Sequence, residues 1–280
     1  MKVAVLVDSS SCITKEIAEA YNLRVVPLHL VWGDKEYADW VDMTPQEFYA
    51  RLKPEKETWP TTSGSVQGEF LKAFEELRGK VDGVAAVTLS PNTPSAGYQS
   101  AIMAKDMIEG IPVEVVDSHR TVTAEGLVAT AAARAATAGA SLEEVVKAGQ
   151  SVIPKTNVFF NVGSISYFLK GGRVAESEVG AKEDSYIITI REDGKITPFE
   201  KYPTQGEARR RLKDLVKERA RKDTPLHVGL FHAAAREEAE ECKKEIAAEY
   251  NCAELWIGEA SPVVAIHVSP DTLGIAFYNE

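Results

Sequence analysis

The sequence predicts an α/β protein of two domains, the first built on a parallel sheet and the second on a mixed one. Runs of solid Val, Leu and Ala, such as VAVLVD (3–8) and GVAAVTLS (83–90), alternate with amphipathic stretches. That rhythm implies parallel strands buried on both faces beneath helices. In the second half, SYIITI (185–190) and KITPFEK (195–201) flank Asp193-Gly194, a hairpin signal that demands antiparallel pairing. The length, 280 residues, suits one large domain or two ordinary ones, and the change of pattern near Gly149 to Ile153 divides it into 1–150 and 151–280.

The first strand, 3–8, is followed by a helix from about Lys15 to Tyr21. RVVPLHLVW (24–32) reads as one strand, at a sheet edge because Pro27 cannot donate to a ladder. Thr44-Pro45-Gln46-Glu47 opens a helix, with a hydroxyl cap, proline at the first helical position and Glu three residues on. Val66, Phe70, Leu71, Phe74 and Leu77 recur at helical spacing. Strand 83–90, a helix after Ser95, strand 112–118 and an Ala-rich helix ending near Gly139 follow. Ser141-Leu142-Glu143-Glu144 carries a second capping box. Beyond residue 150 come VFFNV (158–162), the hairpin, a basic helix from Glu207 to Lys222, LHVGLFH (226–232), a long acidic helix and ELWIG (254–258).

Composition excludes several functions. Asp and Glu number 42 against 32 Lys and Arg, the wrong balance for a phosphate backbone, so no nucleic-acid partner is expected. No apolar run reaches the ~18 residues of a membrane span, and MKVAVLVDSSS is not a signal peptide because Asp8 breaks it. Cys12, Cys242 and Cys252 are odd in number at unrelated spacings, which implies reduced thiols and a cytoplasmic protein rather than disulfides or zinc. The chain contains no GxxxxGK[ST], GxGxxG or GxSxG, and its five histidines show no metal spacing. Neither metal nor cofactor is expected.

Chemistry concentrates at the carboxyl ends of first-half strands, where ligands of open parallel sheets sit. Three strands end in small polar residues: Asp8-Ser9-Ser10-Ser11, Leu89-Ser90 and Asp117-Ser118. Trp59-Pro60-Thr61-Thr62-Ser63-Gly64-Ser65 sets four hydroxyls within five residues and no charge. One hydroxyl serves as a helix cap, as Ser65 does on this reading. A cap accounts for one of Thr61, Thr62 and Ser63, so the cluster is read as ligand-binding. From pattern alone Arg173, after Leu169-Lys170-Gly171-Gly172, has a structural reading as good as a functional one, and a lone histidine such as His267, in Ala265-Ile266-His267-Val268, is more often structural than functional.

The segments VDSSS, PTTS, Ser95-Ala96-Gly97-Tyr98-Gln99-Ser100, VVDS, FLKGGRV and HVSPDTLGIAFY, in this order and spacing, resemble the DegV family of fatty-acid-binding proteins along nearly the whole chain. The resemblance implies a two-domain DegV-like fold with a ligand tunnel between the halves. It implies a long-chain fatty acid, C14 to C18, as ligand, and a separate ATP-dependent fatty acid kinase as partner, to which a monomeric, non-catalytic protein presents its acid. By motif, Thr61, Thr62 or Ser63 and Ser95 contact the carboxylate, His267 sits beside it, and Ser9 and Ser10 line the same cleft or cap the first helix. Arg173 faces the phosphate or the kinase. Neutral donors suit such a head group because they cost less to desolvate than a fixed ion pair. The tail gains on the order of 10 kcal/mol at about 0.8 kcal/mol per methylene.

The chain departs from the family at Ala96 and Gly97, which remove a hydroxyl, and at Ser269 and Asp271, which replace glycines. Asp271 adds a negative charge expected near the head group, Pro203 lies in a segment lacking a basic residue common in the family, and 175–185 is short. Two other functions compete. One is an acyl-transfer enzyme using Ser95 or Ser63 with His267; the other is a phosphotransferase, disfavoured by the missing phosphate loop.

Overall fold

The structure, a computed structural model, describes residues 1–52, 59–62, 66–93, 95–180 and 184–280. Four parallel strands form the first sheet in the order Leu23–Val26, Val3–Asp8, Gly83–Thr88, Val113–Asp117. Alternate residues of these strands feed two separate cores. Leu6, Val84 and Ala86 pack with Phe70 and Phe74 of the helix Gln67–Leu77 and with Ala101 and Ala104 of Gly97–Met107. Val5, Val7, Ala85 and Val87 pack with the helix Val122–Thr137. Continuous apolar strands therefore mean what the sequence implied, a sheet covered on both faces.

The second sheet has six strands in the order Ile196–Tyr202, Ser185–Ile190, Asn157–Val162, Thr272–Asn279, Leu226–Ala233, Cys252–Glu259. Only Leu226–Ala233 and Cys252–Glu259 run parallel; the other neighbours are antiparallel, including the expected hairpin. The helices Gln205–Arg219 and Arg236–Glu249 cover one face through Leu212, Leu215, Ile246 and their neighbours. The other face meets Val122–Thr137, so this helix is a middle layer touching both sheets. Its run Val122 to Ala133 is buried throughout.

Both predicted capping boxes form: the Thr44 and Ser141 hydroxyls accept the N–H of Glu47 and Glu144, and each Glu reaches back to its cap N–H at 2.8 Å. The stretch 24–32 is not one strand. It splits into Leu23–Val26, at the edge of the parallel sheet, and His29–Trp32, in a small antiparallel sheet with Lys35–Ala38 and Thr61–Thr62. Pro27 has no N–H to continue the ladder, and the next N–H, of Leu28, is taken by the Ser9 hydroxyl at 3.0 Å.

Candidate functional site

The carboxyl ends of the first sheet meet the inner face of the second around one cavity. Its walls include Ser10, Thr62, Ser95 and Thr121 from the first half and Arg173 and His267 from the second. Apolar side chains fill the rest, among them Leu89, Val122, Phe160, Phe168 and Val264. The space they leave is about 50 Å³, well below the several hundred Å³ of sites that enclose a whole small molecule. An elongated tunnel is thus not evident; a tight apolar seam with polar groups at its wall is.

Ser95 precedes the helix Gly97–Met107, and its oxygen accepts the Gly97 N–H at 3.3 Å. That leaves the hydroxyl hydrogen to donate. Gly97 is needed for close approach: a Cβ there would stand 2.5 Å from Leu89 Cδ2. The loop before it is clasped by the hairpin of the second sheet, with Asn92 Nδ2 donating to the Asp193 carbonyl at 2.6 Å and Thr93 Oγ1 to that of Gly194 at 3.3 Å. Arg120, buried nearby, donates to the carbonyls of His119, Arg191 and Ile153.

Thr61 and Thr62 are paired to Val31 and Leu30 in a short strand, where neighbours point to opposite faces. Thr62 lines the cavity, whereas Thr61 is exposed and does not. Ser63 and Ser65 lie outside the described residues. Ser9 is absent from the cavity wall: its hydroxyl donates to Asp39 Oδ2 at 2.6 Å and accepts the Leu28 N–H. It ties the first strand to the following loop. Ser10 does reach the wall, and its hydroxyl donates to Glu125 Oε2 at 2.8 Å.

His267 follows a helical turn, Pro262–Ala265, rather than bordering a strand. Its Nε2 is 2.9 Å from Arg173 Nη2. A guanidinium only donates, so Nε2 accepts and the ring proton sits on Nδ1. Burial and then the Arg173 charge push the imidazole well below its usual range, which keeps it neutral. Nδ1 is buried without a hydrogen-bond partner among the described residues. The Gly171 backbone passes close above it, and a Cβ at Gly171 would fall 2.0 Å from Nδ1. Arg173 itself is half-buried and pushed down to about 10 by desolvation, still charged at neutral pH. The sequence assigned it to a phosphate or a kinase; its guanidinium turns inward to the cavity wall. Asp271, expected near the head group, is exposed and lies outside that wall, its carbonyl accepting from Gln205 and Arg209 at 2.7 Å.

Sequence reasoning missed Thr121, Thr93 and the buried carboxyls around the Ser9–Ser11 turn. Asp8 accepts the N–H groups of Ser10 at 2.9 Å and Leu89 at 3.0 Å, while Asp39 accepts from Ser9 and the Val263 N–H. Burial raises Asp8 above the ordinary carboxylate range and Asp39 to about 7. The signal for Glu125 was present: it is the one acidic residue in 122–137. No group of His, Cys, Asp and Glu among the described residues is arranged to hold a metal. No helix among them is long and apolar enough to cross a membrane.

A family model described as an uncharacterised protein of the DegV family matches residues 2–280. A DegV domain-containing protein of Caldanaerobacter subterraneus is 31% identical over 278 residues, covering 99% of this chain and 98% of its own length. Among solved structures, DegV from Bacillus subtilis, titled a fatty acid binding protein, superposes with a TM-score of 0.90 at 29% identity, over 100% of both chains. A Thermotoga maritima protein titled a DegV lipid binding protein gives 0.87 at 28%, over 100% of this chain and 99% of its own.

Proposed function

We propose a function on one premise: this chain belongs to the DegV family. It holds a long-chain fatty acid between its two halves, with the carboxylate at Ser95 and Thr62 and beside the Arg173–His267 pair. The tail lies along the apolar wall of Leu89, Val122, Phe160, Phe168 and Val264. The observation that carries this is convergence. Thr62, Ser95, Arg173 and His267, far apart in sequence, come to one cavity whose remaining walls are largely apolar. Such a lining matches an amphiphile with one small polar end. Relatives titled fatty acid binding and lipid binding support the same class of ligand.

Two details shape the proposal. A cavity of about 50 Å³ admits a C14 to C18 chain only if wall side chains repack, so part of the ~0.8 kcal/mol per buried methylene goes into opening the seam. Arg173, placed beside His267, faces the acid as well as any phosphate formed on it. The role is binding rather than catalysis: with Nε2 accepting from Arg173 and the proton on Nδ1, His267 has no lone pair left to take a serine proton. The protein presents its ligand, as a cytoplasmic monomer of domains 1–150 and 151–280, to a separate fatty acid kinase.

Native mass spectrometry of the purified protein, followed by denaturation and lipid analysis, tests this. One fatty acid of C14 to C18 per chain is the expected result. Protein that carries none and takes up none when fatty acids are added would overturn it.

A further inference from the structure

We propose that Glu125 is a positioning residue for the cavity: its carboxyl shares one proton with Asp8 and anchors the Ser10 hydroxyl in the cavity wall. The proposal deepens the fatty-acid reading and, for its effect on ligand, rests on it.

Glu125 lies in the first turn of the helix Val122–Thr137 and is 0% exposed. Its Oε2 accepts the Ser10 hydroxyl at 2.8 Å, while Oε1 is buried with no donor among the described residues. An ionised oxygen left in that state is costly. Asp8, also 0% exposed, is brought against it by Ser10, whose N–H Asp8 accepts at 2.9 Å while its hydroxyl donates to Glu125. Two carboxyls in such contact hold a proton between them, because two negative charges cannot both be sustained there. The proton belongs on Glu125. Asp8 receives two backbone N–H groups, which favour its charged form, and Glu125 receives one hydroxyl. The apparent orphan Oε1 is then a donor facing Asp8.

Among the described residues, the other ionisable groups acting on Asp8, Asp39, Cys12 and Glu125 include Asp117 and Glu259, and neither brings positive charge. Burial first, and Asp8 second, push Glu125 well above the usual carboxylate range. Ser10 spends its hydrogen on Glu125, and its oxygen accepts from Thr121 Oγ1 at 3.4 Å. Both hydroxyls are cavity-wall groups, so the pair fixes the wall and leaves donation to the acid to Ser95 and Thr62. The sign follows from the raised folded value. The folded state holds a proton that the unfolded chain releases near 4.5, so stability is lost as pH rises from there through the folded value. Above it, two adjacent carboxylates repel beneath the Ser9–Ser11 turn.

The test compares wild type with Glu125→Gln, which keeps size and hydrogen bonding and cannot ionise. Ligand-free melting temperatures and palmitate affinities are measured from pH 5 to pH 9. The expected result is a split that widens with pH, the wild type losing more melting temperature and affinity than the variant, which keeps only the alkaline loss that Asp39 carries. A carboxylic-acid carbonyl stretch in the infrared at neutral pH, lost in Glu125→Gln, is expected as well. Should that variant fold poorly, Asp8→Asn serves: Glu125 loses the carboxylate it donates to, the same band shifts in frequency and the alkaline loss of melting temperature shrinks. Parallel melting curves together with a band unchanged in the variants overturn the proposal. A widening split in the ligand-free protein without any palmitate binding keeps the proton-sharing pair and sinks only the fatty-acid reading.

Discussion

The helix Val122–Thr137 carries one acid and one base, Glu125 near its start and Arg134 near its end, and the two ends treat buried charge in opposite ways. At the far end Arg134 pairs with Glu254 at 2.5 Å and donates to the Tyr278 hydroxyl at 2.6 Å. Glu254 also takes His227 at 2.9 Å and Trp256 Nε1 at 2.8 Å. Burial alone would raise Glu254, yet His227 and Arg134 outweigh it and hold the carboxyl below its usual range. Every oxygen is occupied, and the network joins the helix to the second sheet. At the cavity end the carboxyls of Asp8, Asp39 and Glu125 have hydroxyl and N–H partners but no cation among the described residues, and all are raised. Buried polar groups with matched charges act as a fastener. Unmatched ones beside a cavity are where chemistry is available.

Breaking the fastener should have the largest effect. Arg134→Ala leaves the buried Glu254 with His227 and Trp256 as partners, and a loss of about 3 kcal/mol is expected, the low end for removing one partner of a buried pair because those two remain and the Arg134 side chain is 38% exposed. Urea denaturation measures it, and a loss below about 1 kcal/mol would remove the distinction between the two ends. At the cavity end, Gly171→Ala forces a Cβ against His267 Nδ1. Overpacking of this kind costs ~1–3 kcal/mol, and the variant should lose fatty-acid affinity along with it. Equal affinity would mean that the imidazole is not part of the site.

These contrasts were unevenly legible in the sequence. Both sheets could be read, because Val-rich runs and Asp193-Gly194 act through local pattern, and both capping boxes are four-residue signals. The split at Pro27 was half visible: proline marked a weak ladder, but only the Ser9 hydroxyl on the Leu28 N–H shows where the strand ends. The cavity wall was recognisable by motif at Ser95 and His267. Choosing Thr62 over Thr61 needs the strand pairing, since a period of two assigns adjacent residues to opposite faces. Asp8 was noted only as a strand end. Glu125 stands out as the one acidic residue in 122–137, but the directions of Glu125 and Arg134 are set by two sheets that meet only in the folded chain.

Smaller effects sharpen the same contrast. Thr62→Ala and Ser95→Ala should each weaken fatty-acid binding by ~1 kcal/mol or more, the cost of an unmade hydrogen bond to a charged group. Thr61→Ala should leave it unchanged, and calorimetric titration of all three decides between strand faces. The pH profile of wild-type stability should fall at both ends for different reasons. Glu254, lowered from 4.5, contributes stability that is lost as acid protonates it. Asp39, raised to about 7, contributes stability that is lost as pH climbs through that value. Asp39→Asn should reduce the alkaline arm to the part that Glu125 carries and leave the acid arm intact.

Calorimetric titration of the delipidated wild-type protein with palmitate at neutral pH addresses the central claim most directly. Saturable binding of one acid per chain, with the negative heat-capacity change of buried hydrocarbon, is the predicted result. Heats of dilution alone, repeated across chain lengths from C14 to C18, would contradict it.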